Sequence, residues 1–195
     1  MSLPPGQRAL RGGEPDQAAL DAGELYLADH DHLTGLWNRR RFEEEFDRLV
    51  ARSRRDDERL ALLSIDVDRY RDVIQRHGAR AAEGLIQSIS HILAKRLRPN
   101  KTLARMGGDE FAAVLPGATP QLVRSLAEGL CTAVREQSHA TGSSRVHATV
   151  SIGGILLDAG TPTHHDALLA ANTALYEAKA AGGDRAILHE CSQGA

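Results

Sequence analysis

The sequence has little cysteine, no long apolar run and almost no net charge. Its two cysteines, Cys131 and Cys191, lie far apart and form no CxxC pair, which argues against a disulfide framework and a structural zinc site. No apolar run approaches the roughly 18–20 residues that a membrane span needs. A formal net charge of −2 gives no indication of a polybasic surface. We therefore expect neither nucleic acid nor a membrane as a partner of this segment.

The length and composition predict one globular domain with a tail. The chain has 195 residues, of which 42% are hydrophobic and 26% charged, an ordinary balance for a domain with a sizeable core. Residues 1–17 are rich in glycine, proline and charge and lack the apolar segment of a signal peptide, so we expect a disordered tail. We expect a linker helix at residues 18–28, the domain at 29–190 and a second tail at 191–195. The expected location is the cytoplasm, or the cytosolic part of a larger signalling protein.

Helical and strand patterns alternate along the chain. Apolar residues at helical spacing predict helices, and short apolar or alternating runs predict strands. The predicted helices centre on residues 42–50, 85–97, 122–134 and 168–181. The predicted strands cover residues 60–65, 103–106, 111–115, 146–152 and 186–188. A Gly-Gly turn joins the second and third of these strands into a β-hairpin. The pattern predicts an α/β fold in which helices flank a mixed, largely antiparallel sheet.

Four carboxylates are expected to lie close together at one end of this sheet. Asp66 and Asp68 end a buried strand, and Asp109 and Glu110 occupy the hairpin tip. Such carboxylates repel one another unless a divalent cation joins them, and Mg²⁺ prefers these oxygen ligands together with substrate phosphates. Metals held there can activate an attacking hydroxyl and stabilise a leaving pyrophosphate. Acids at strand ends are also commonly just solvated, so the hairpin sequence beside them is the stronger indication.

Five segments, in order along the chain, resemble the motifs of the GGDEF family of diguanylate cyclases. Residues 107–111 read GGDEF, the signature that names the family. The other segments are residues 31–40 (DHLTGLWNRR), 64–68 (SIDVD), 149–153 (TVSIG) and 174–179 (ALYEAK). The resemblance implies a palm-like fold, similar to nucleotidyl cyclases and ferredoxin-like domains. It also implies a reaction in which two GTP molecules condense to cyclic di-GMP with release of pyrophosphate.

The resemblance further implies a role for each site residue. Asp66, Asp109 and Glu110 would be catalytic and would hold Mg²⁺ or Mn²⁺, together with the backbone oxygen of Val67. The implied nucleotide-binding residues are Gly107, Gly108, Glu83, Arg71 and Lys179. Each domain would hold one GTP, and the 3′-hydroxyl of each GTP would attack the α-phosphate of the other. Catalysis would therefore need a homodimer, and a fused sensor or effector domain is expected.

Three positions depart from the family pattern. Ile74 stands where the family has a guanine-binding asparagine, and Glu83 stands where it has a guanine-binding aspartate. Gly183 replaces a phosphate-contacting arginine, for which Arg185 is the nearest substitute in the sequence. Losing one polar partner of the base costs roughly 1–3 kcal/mol. We expect weaker GTP binding or relaxed base selectivity.

The regulatory site of the family is also altered. The inhibitory RxxD motif reads Arg98-Pro-Asn-Lys101, and a lysine in place of the acid predicts no standard feedback inhibition. The sequence leaves open a cyclase of reduced activity, a catalytically inactive nucleotide-binding or dimerisation module, and an altered base preference. Because Asp66, Asp109 and Glu110 are all present, the sequence slightly favours the cyclase.

Overall fold

Helices and strands alternate through the part of the chain that the computed structural model describes, which comprises residues 26, 28–97, 102–141, 144–157 and 163–190. The expected tails, most of the expected linker helix and the segment from Arg98 to Lys101 lie outside these residues. None of the described helices combines the length and the apolar character needed to cross a membrane.

The bounds of the elements follow the predicted alternation. The helices are α1 (Arg39–Asp56), α2 (Tyr70–His77), α3 (Ala79–Arg96), α4 (Pro120–Arg135) and α5 (His164–Ala180). The strands are β1 (Leu60–Val67), β2 (Ala104–Gly107), β3 (Glu110–Pro116), β4 (Ser138–Thr141), β5 (Ser144–His147), β6 (Val150–Leu157) and β7 (Ala186–Glu190). Three helices begin at a polar cap, because Asn38, Thr119 and Thr163 each accept a hydrogen bond from a backbone N–H of the first turn.

Five of these strands form the central sheet, in the order β2-β3-β1-β6-β7. Strand β1 lies in the middle and pairs antiparallel with both β3 and β6, whereas β7 pairs parallel with β6. Every residue of β1 and β6 is buried, as expected for strands covered by helices on both faces. The prediction of a mixed, largely antiparallel sheet flanked by helices is confirmed.

Side chains of β1 alternate between two helical layers, because successive residues of a strand point to opposite faces. Leu63 and Ile65 pack in the layer that contains α3 and α4, whereas Leu60 and Leu62 pack in the layer that contains α1 and α5. Asp66 lies an even number of residues from Leu60 and Leu62, so its side chain points to the same face of the sheet as theirs. Its carboxylate therefore belongs to the face that α1 and α5 cover.

The predicted single strand at residues 146–152 is wrong, since this segment is divided between two sheets. Strand β5 pairs with β4 in a separate two-stranded sheet, and β6 then enters the central sheet. Strand β4 has no counterpart in the sequence prediction. A hydrogen bond of 2.8 Å between His139 Nδ1 and Ser88 Oγ attaches this small sheet to α3. Helix α2 was also not predicted. It precedes α3, and Gly78, with φ of 83°, turns the chain between the two helices.

Gly153 of β6 lies where α5 crosses the central sheet most closely. A Cβ atom at this position would lie 2.1 Å from the backbone nitrogen of Leu175 and 2.2 Å from the carbonyl oxygen of Ala171. Both atoms are helix backbone, so no side-chain rotation can relieve the overlap. The absence of a side chain at residue 153 is therefore what lets α5 pack directly on the sheet.

We predict that Gly153→Ala lowers the free energy of unfolding by about 3 kcal/mol, at the upper end of the cost of overpacking. Gly129→Ala is the matched control, because a Cβ atom on this α4 residue meets no described atom within 4 Å. Alanine has the higher helix propensity, so the control should gain about 0.5–1 kcal/mol. Urea denaturation measures both changes, and equal stability of the two variants would contradict the packing argument.

Candidate active site

Strands β1 and β3 place two carboxylates side by side at one end of the sheet. Asp66 and Glu110 are direct register partners, and partners on adjacent antiparallel strands project to the same face. The backbone N–H of Val67 donates to the carbonyl of Asp109 at 3.3 Å. The end of β1 and the tip of the β2–β3 hairpin therefore form one site, with Asp66 buried and Glu110 exposed.

The carboxylate of Asp66 has an unusual environment, because its side chain is only 8% exposed. Lys179 Nζ lies 2.6 Å from Asp66 Oδ1, yet Oδ1 has no hydrogen bond of acceptable geometry within the described part of the chain. We regard the contact as an ion pair whose angles fall outside those of a hydrogen bond. Burial raises the pKa of Asp66 to about 6; Lys179 opposes this shift, and repulsion from Asp109 and Glu110 adds to it. The site thus holds a buried carboxylate oxygen whose close partner among the described residues is the Lys179 ammonium.

The arrangement fits a hard divalent cation that completes its shell with other oxygens. No group of three or more His, Cys, Asp or Glu side chains within the described ranges is arranged to hold a metal. Mg²⁺, however, usually takes one or two protein carboxylates and fills its remaining positions with water and substrate phosphates. Asp66 and Glu110 could supply oxygen donors of this kind, and Asp66 Oδ1 has no hydrogen bond within the described residues.

Asp68 does not join the other carboxylates, contrary to the expected group of four. Its Oδ2 accepts hydrogen bonds from Thr149 Oγ1 at 2.6 Å and from the Asp184 backbone N–H at 3.0 Å. Its Oδ1 accepts one from Ser151 Oγ at 2.6 Å. Asp68 therefore ties the start of β6 to the turn that follows α5, and both of its oxygens are already satisfied.

The hairpin tip is built from two glycines in backbone conformations that other residues avoid. Gly107 has φ of 138° and Gly108 has φ of 53°, both in the range that favours glycine. A Cβ atom at either position would meet no described atom within 4 Å. The tip therefore presents exposed backbone beside Asp66 and Glu110, where a ligand can approach closely.

Arg105 holds the hairpin tip in place, a role that the sequence analysis missed. Its Nη1 donates to both carboxylate oxygens of Asp31 at 3.1 Å, and its Nε and Nη2 donate to the Gly108 carbonyl at 3.0 and 2.7 Å. The Arg105 and Asp31 side chains are only 11% and 16% exposed. Burial would raise the pKa of Asp31, but hydrogen bonds from Thr34 and Arg105 outweigh it and lower the pKa. The available signal was an arginine within an otherwise apolar predicted strand.

The residues expected to contact the base lie on α2 and α3. Glu83 is exposed on α3, and Ile74 is exposed on α2. Tyr70 begins α2: burial raises the pKa of Tyr70, Arg105 opposes the shift, and repulsion from Asp109 and Glu83 adds to it. Glu83 and Asp109 are therefore close enough to share an electrostatic neighbour.

The residues expected to contact phosphates do not all line the same cavity. Lys179 and Gly183 line a cavity of about 900 Å³. Arg71 is exposed on α2 and does not belong to the described lining of this cavity. Arg185 does not belong to it either, because its Nε donates back to the carbonyl of Gly183 at 3.0 Å.

The five-stranded sheet, its helical layers and the hairpin beside Asp66 define a palm-like domain of the nucleotidyl cyclase type. The family model described as "Diguanylate cyclase, GGDEF domain" matches residues 28–185, and the chain belongs to this family.

Curated relatives and solved structures agree with this assignment. The chain is 33% identical over 171 residues to "Probable diguanylate cyclase DgcE" of Escherichia coli, covering 87% of this chain and 15% of DgcE. It is 34% identical over 155 residues to "Diguanylate cyclase DgcP" of Pseudomonas aeruginosa, covering 80% of this chain and 23% of DgcP. The chain thus spans less than a quarter of the length of either relative.

Solved GGDEF domains have the same fold. The GGDEF domain of TpbB (YfiN) from Pseudomonas aeruginosa superposes with a TM-score of 0.78 at 30% identity, covering 82% of this chain and 93% of that one. The GGDEF domain of DgcB from Caulobacter crescentus, solved in complex with cyclic di-GMP, gives a TM-score of 0.77 at 25% identity, with coverages of 83% and 95%.

We predict that Arg105→Lys destabilises the domain by about 1–3 kcal/mol, because a lysine keeps the charge but cannot serve Asp31 and the Gly108 carbonyl together. Hydrogen exchange at residues 107–110 should accelerate along with the loss of stability. Arg48→Lys is the control, since the Arg48 side chain is exposed in its ion pair with Glu45 and its replacement should change stability by less than about 0.5 kcal/mol. Unchanged exchange at the hairpin in Arg105→Lys would show that Arg105 does not position it.

Proposed function

We propose that this domain condenses two molecules of GTP into cyclic di-GMP and releases pyrophosphate. The observation that carries the proposal is the register pair of Asp66 and Glu110 beside the glycine hairpin. Membership of the GGDEF family supports it, as do relatives named as diguanylate cyclases. Because the chain spans only a small part of those relatives, the activity is a proposal for this domain and not a property transferred from the whole proteins.

The proposed reaction uses Mg²⁺ or Mn²⁺ held by Asp66, Glu110, Asp109 and the backbone oxygen of Val67. The buried Asp66 oxygen without a hydrogen bond supports this assignment, and the Lys179 ammonium, 2.6 Å from that oxygen, would have to share it with the ion. When bound, such an ion supplies charge stabilisation for a leaving pyrophosphate and favours ionisation of the attacking hydroxyl. Since the pKa of Asp66 is about 6, its ionised, ligating form predominates at neutral pH.

The protein groups around the proposed metal position bind and orient the nucleotide. Gly107 and Gly108 leave the hairpin backbone uncovered, so the nucleotide can lie against it. Lys179 is close to Asp66 and partly exposed, so its ammonium is within reach of phosphates that approach this carboxylate. A cation placed there is most effective where negative charge develops during phosphoryl transfer.

The proposed reaction needs two copies of the domain. Each copy holds one GTP, and the attacking 3′-hydroxyl comes from the nucleotide of the other copy, so one chain supplies half of the reaction centre. We propose a homodimer that forms when the domains face each other through their nucleotides. A fused sensor or effector domain would control this encounter.

A second candidate function is a catalytically inactive module that binds a nucleotide or dimerises to regulate a partner. Ile74 favours this candidate, because its apolar side chain offers no hydrogen bond to a base. Gly183 favours it as well, because it leaves the turn after α5 without a phosphate-binding side chain. The two candidates differ in the product that they form from GTP.

We predict that the purified domain, at high protein concentration with GTP and Mg²⁺ or Mn²⁺, forms cyclic di-GMP. Asp109→Ala should abolish the product, because it removes one of the proposed metal-binding carboxylates. Chromatography with mass detection identifies the nucleotides, and circular dichroism confirms that the variant is folded. A folded, dimeric wild-type domain that forms no cyclic di-GMP would contradict the proposal and leave the regulatory module.

We predict that Ile74→Asn increases the preference for GTP over ATP by about tenfold, because it restores one hydrogen-bonding partner for the base. Leu122→Asn on α4 is the control, since Leu122 is an exposed apolar side chain (56%, against 40% for Ile74) that lies away from the site. Competition between the two nucleotides for binding measures the ratio. An unchanged ratio in Ile74→Asn would show that this position does not face the base.

A further inference from the structure

The cavity of about 900 Å³ beside the site is strongly basic. It lies between α2, β5 and the turn that follows α5. Its lining includes five arginine or lysine side chains but only two aspartates. The basic residues are Arg69, Arg76, Arg135, Arg145 and Lys179, and the acidic ones are Asp68 and Asp72. A cavity of this size and charge suits a polyanionic ligand.

Part of this positive charge is not neutralised by the protein. Lys179 pairs with Asp66, and Arg135 Nη1 pairs with Asp184 Oδ2 at 2.9 Å. In contrast, the side chains of Arg69, Arg76 and Arg145 make no hydrogen bond or ion pair with any residue in the described ranges. Asp68 offers the cavity little free acceptor capacity, because its oxygens already accept hydrogen bonds from Thr149, Ser151 and the Asp184 backbone, so Asp72 is the one remaining carboxylate of the described lining that faces these three arginines.

The backbone at Gly183 disfavours an arginine at this position. Gly183 has φ of 74°, and a Cβ atom on it would lie 3.0 Å from Asp68 Oδ1. An arginine at this position would be strained by its backbone conformation and crowded by the Asp68 carboxylate. A side chain at residue 183 would thus require the Asp68 carboxylate to shift, so a phosphate-binding cation is more easily supplied from another wall of the cavity.

We propose that Arg145 and Arg76 bind the terminal phosphates of the nucleotide, in place of the arginine that is absent at Gly183. The inference rests on the proposed function in one respect, that the α-phosphate lies near Asp66. Lys179 connects the two places, because it contacts Asp66 and also lines the cavity. A phosphate chain that begins at Asp66 and passes Lys179 therefore extends towards β5 and the end of α2.

In this arrangement, contacts with the phosphates supply most of the binding energy of the nucleotide, and contacts with the base supply little. Ile74 offers the base no hydrogen bond, whereas the cavity offers the phosphates the unpaired charges of Arg145 and Arg76. Guanidinium groups form strong charge-assisted hydrogen bonds with phosphate oxygens. Inorganic tripolyphosphate, which has no base, should therefore bind to the domain and compete with GTP.

Calorimetric titration of the domain with tripolyphosphate and Mg²⁺ tests the inference. We expect measurable binding to the wild type, and a loss of about tenfold in affinity for both Arg145→Gln and Arg76→Gln. Arg124→Gln is the control: it removes the same charge from an exposed position on α4 outside this cavity and should change the affinity by less than about twofold. All three replaced side chains are exposed, so we expect each variant to remain folded.

The outcomes separate this inference from the cyclase proposal. Equal affinity in all three variants, or no tripolyphosphate binding by the wild type, would overturn the inference even if cyclic di-GMP forms. If Arg145→Gln and Arg76→Gln weaken tripolyphosphate binding but the wild type makes no cyclic di-GMP, the cavity binds phosphates as inferred and the cyclase proposal fails.

Discussion

A carboxylate buried at the end of the central strand is the constraint on which the rest of the site depends. Asp66 lies in a strand covered on both faces, where an ionised group needs a nearby opposite charge. Helix α5 supplies that charge through Lys179, and α5 can lie close enough because Gly153 has no side chain between the helix and the sheet. The packing of one glycine and the electrostatics of one aspartate are thus linked.

Two further networks fix the backbone around this carboxylate without taking part in the proposed chemistry. Arg105 joins Asp31 to the Gly108 carbonyl and so connects the opening motif to the hairpin tip. Asp68 joins the start of β6 to the turn after α5. Both networks use charged groups that are largely satisfied within the protein. They therefore make the site rigid, while Glu110 and the hairpin glycines remain exposed for a ligand.

The departures from the family pattern are connected through the same contacts. Asp68 accepts a hydrogen bond from the Asp184 backbone N–H, so the turn places Gly183, which stands where the family has an arginine, close to a carboxylate. Arg185 lies outside the described lining of the cavity, and its Nε donates to the Gly183 carbonyl. Positive charge is instead concentrated on the opposite wall of the cavity. A domain with a weakened base contact can still bind a nucleotide tightly if its phosphates are held well.

The sequence by itself determined most of the alternation of helices and strands and the antiparallel hairpin, because these follow from short-range periodicity and from a motif of adjacent residues, and the resemblance to the family predicted that Asp66 and Glu110 meet. Only the tertiary structure decided that Asp68 and Arg105 serve the scaffold, that residues 146–152 divide between two sheets, and that Arg145 faces the cavity with Lys179. Asp68 contacts Thr149, 81 residues away, and Arg105 contacts Asp31, 74 residues away. Local patterns carry no information about such contacts, because their partners are brought together only by the packing of the whole sheet against its helices.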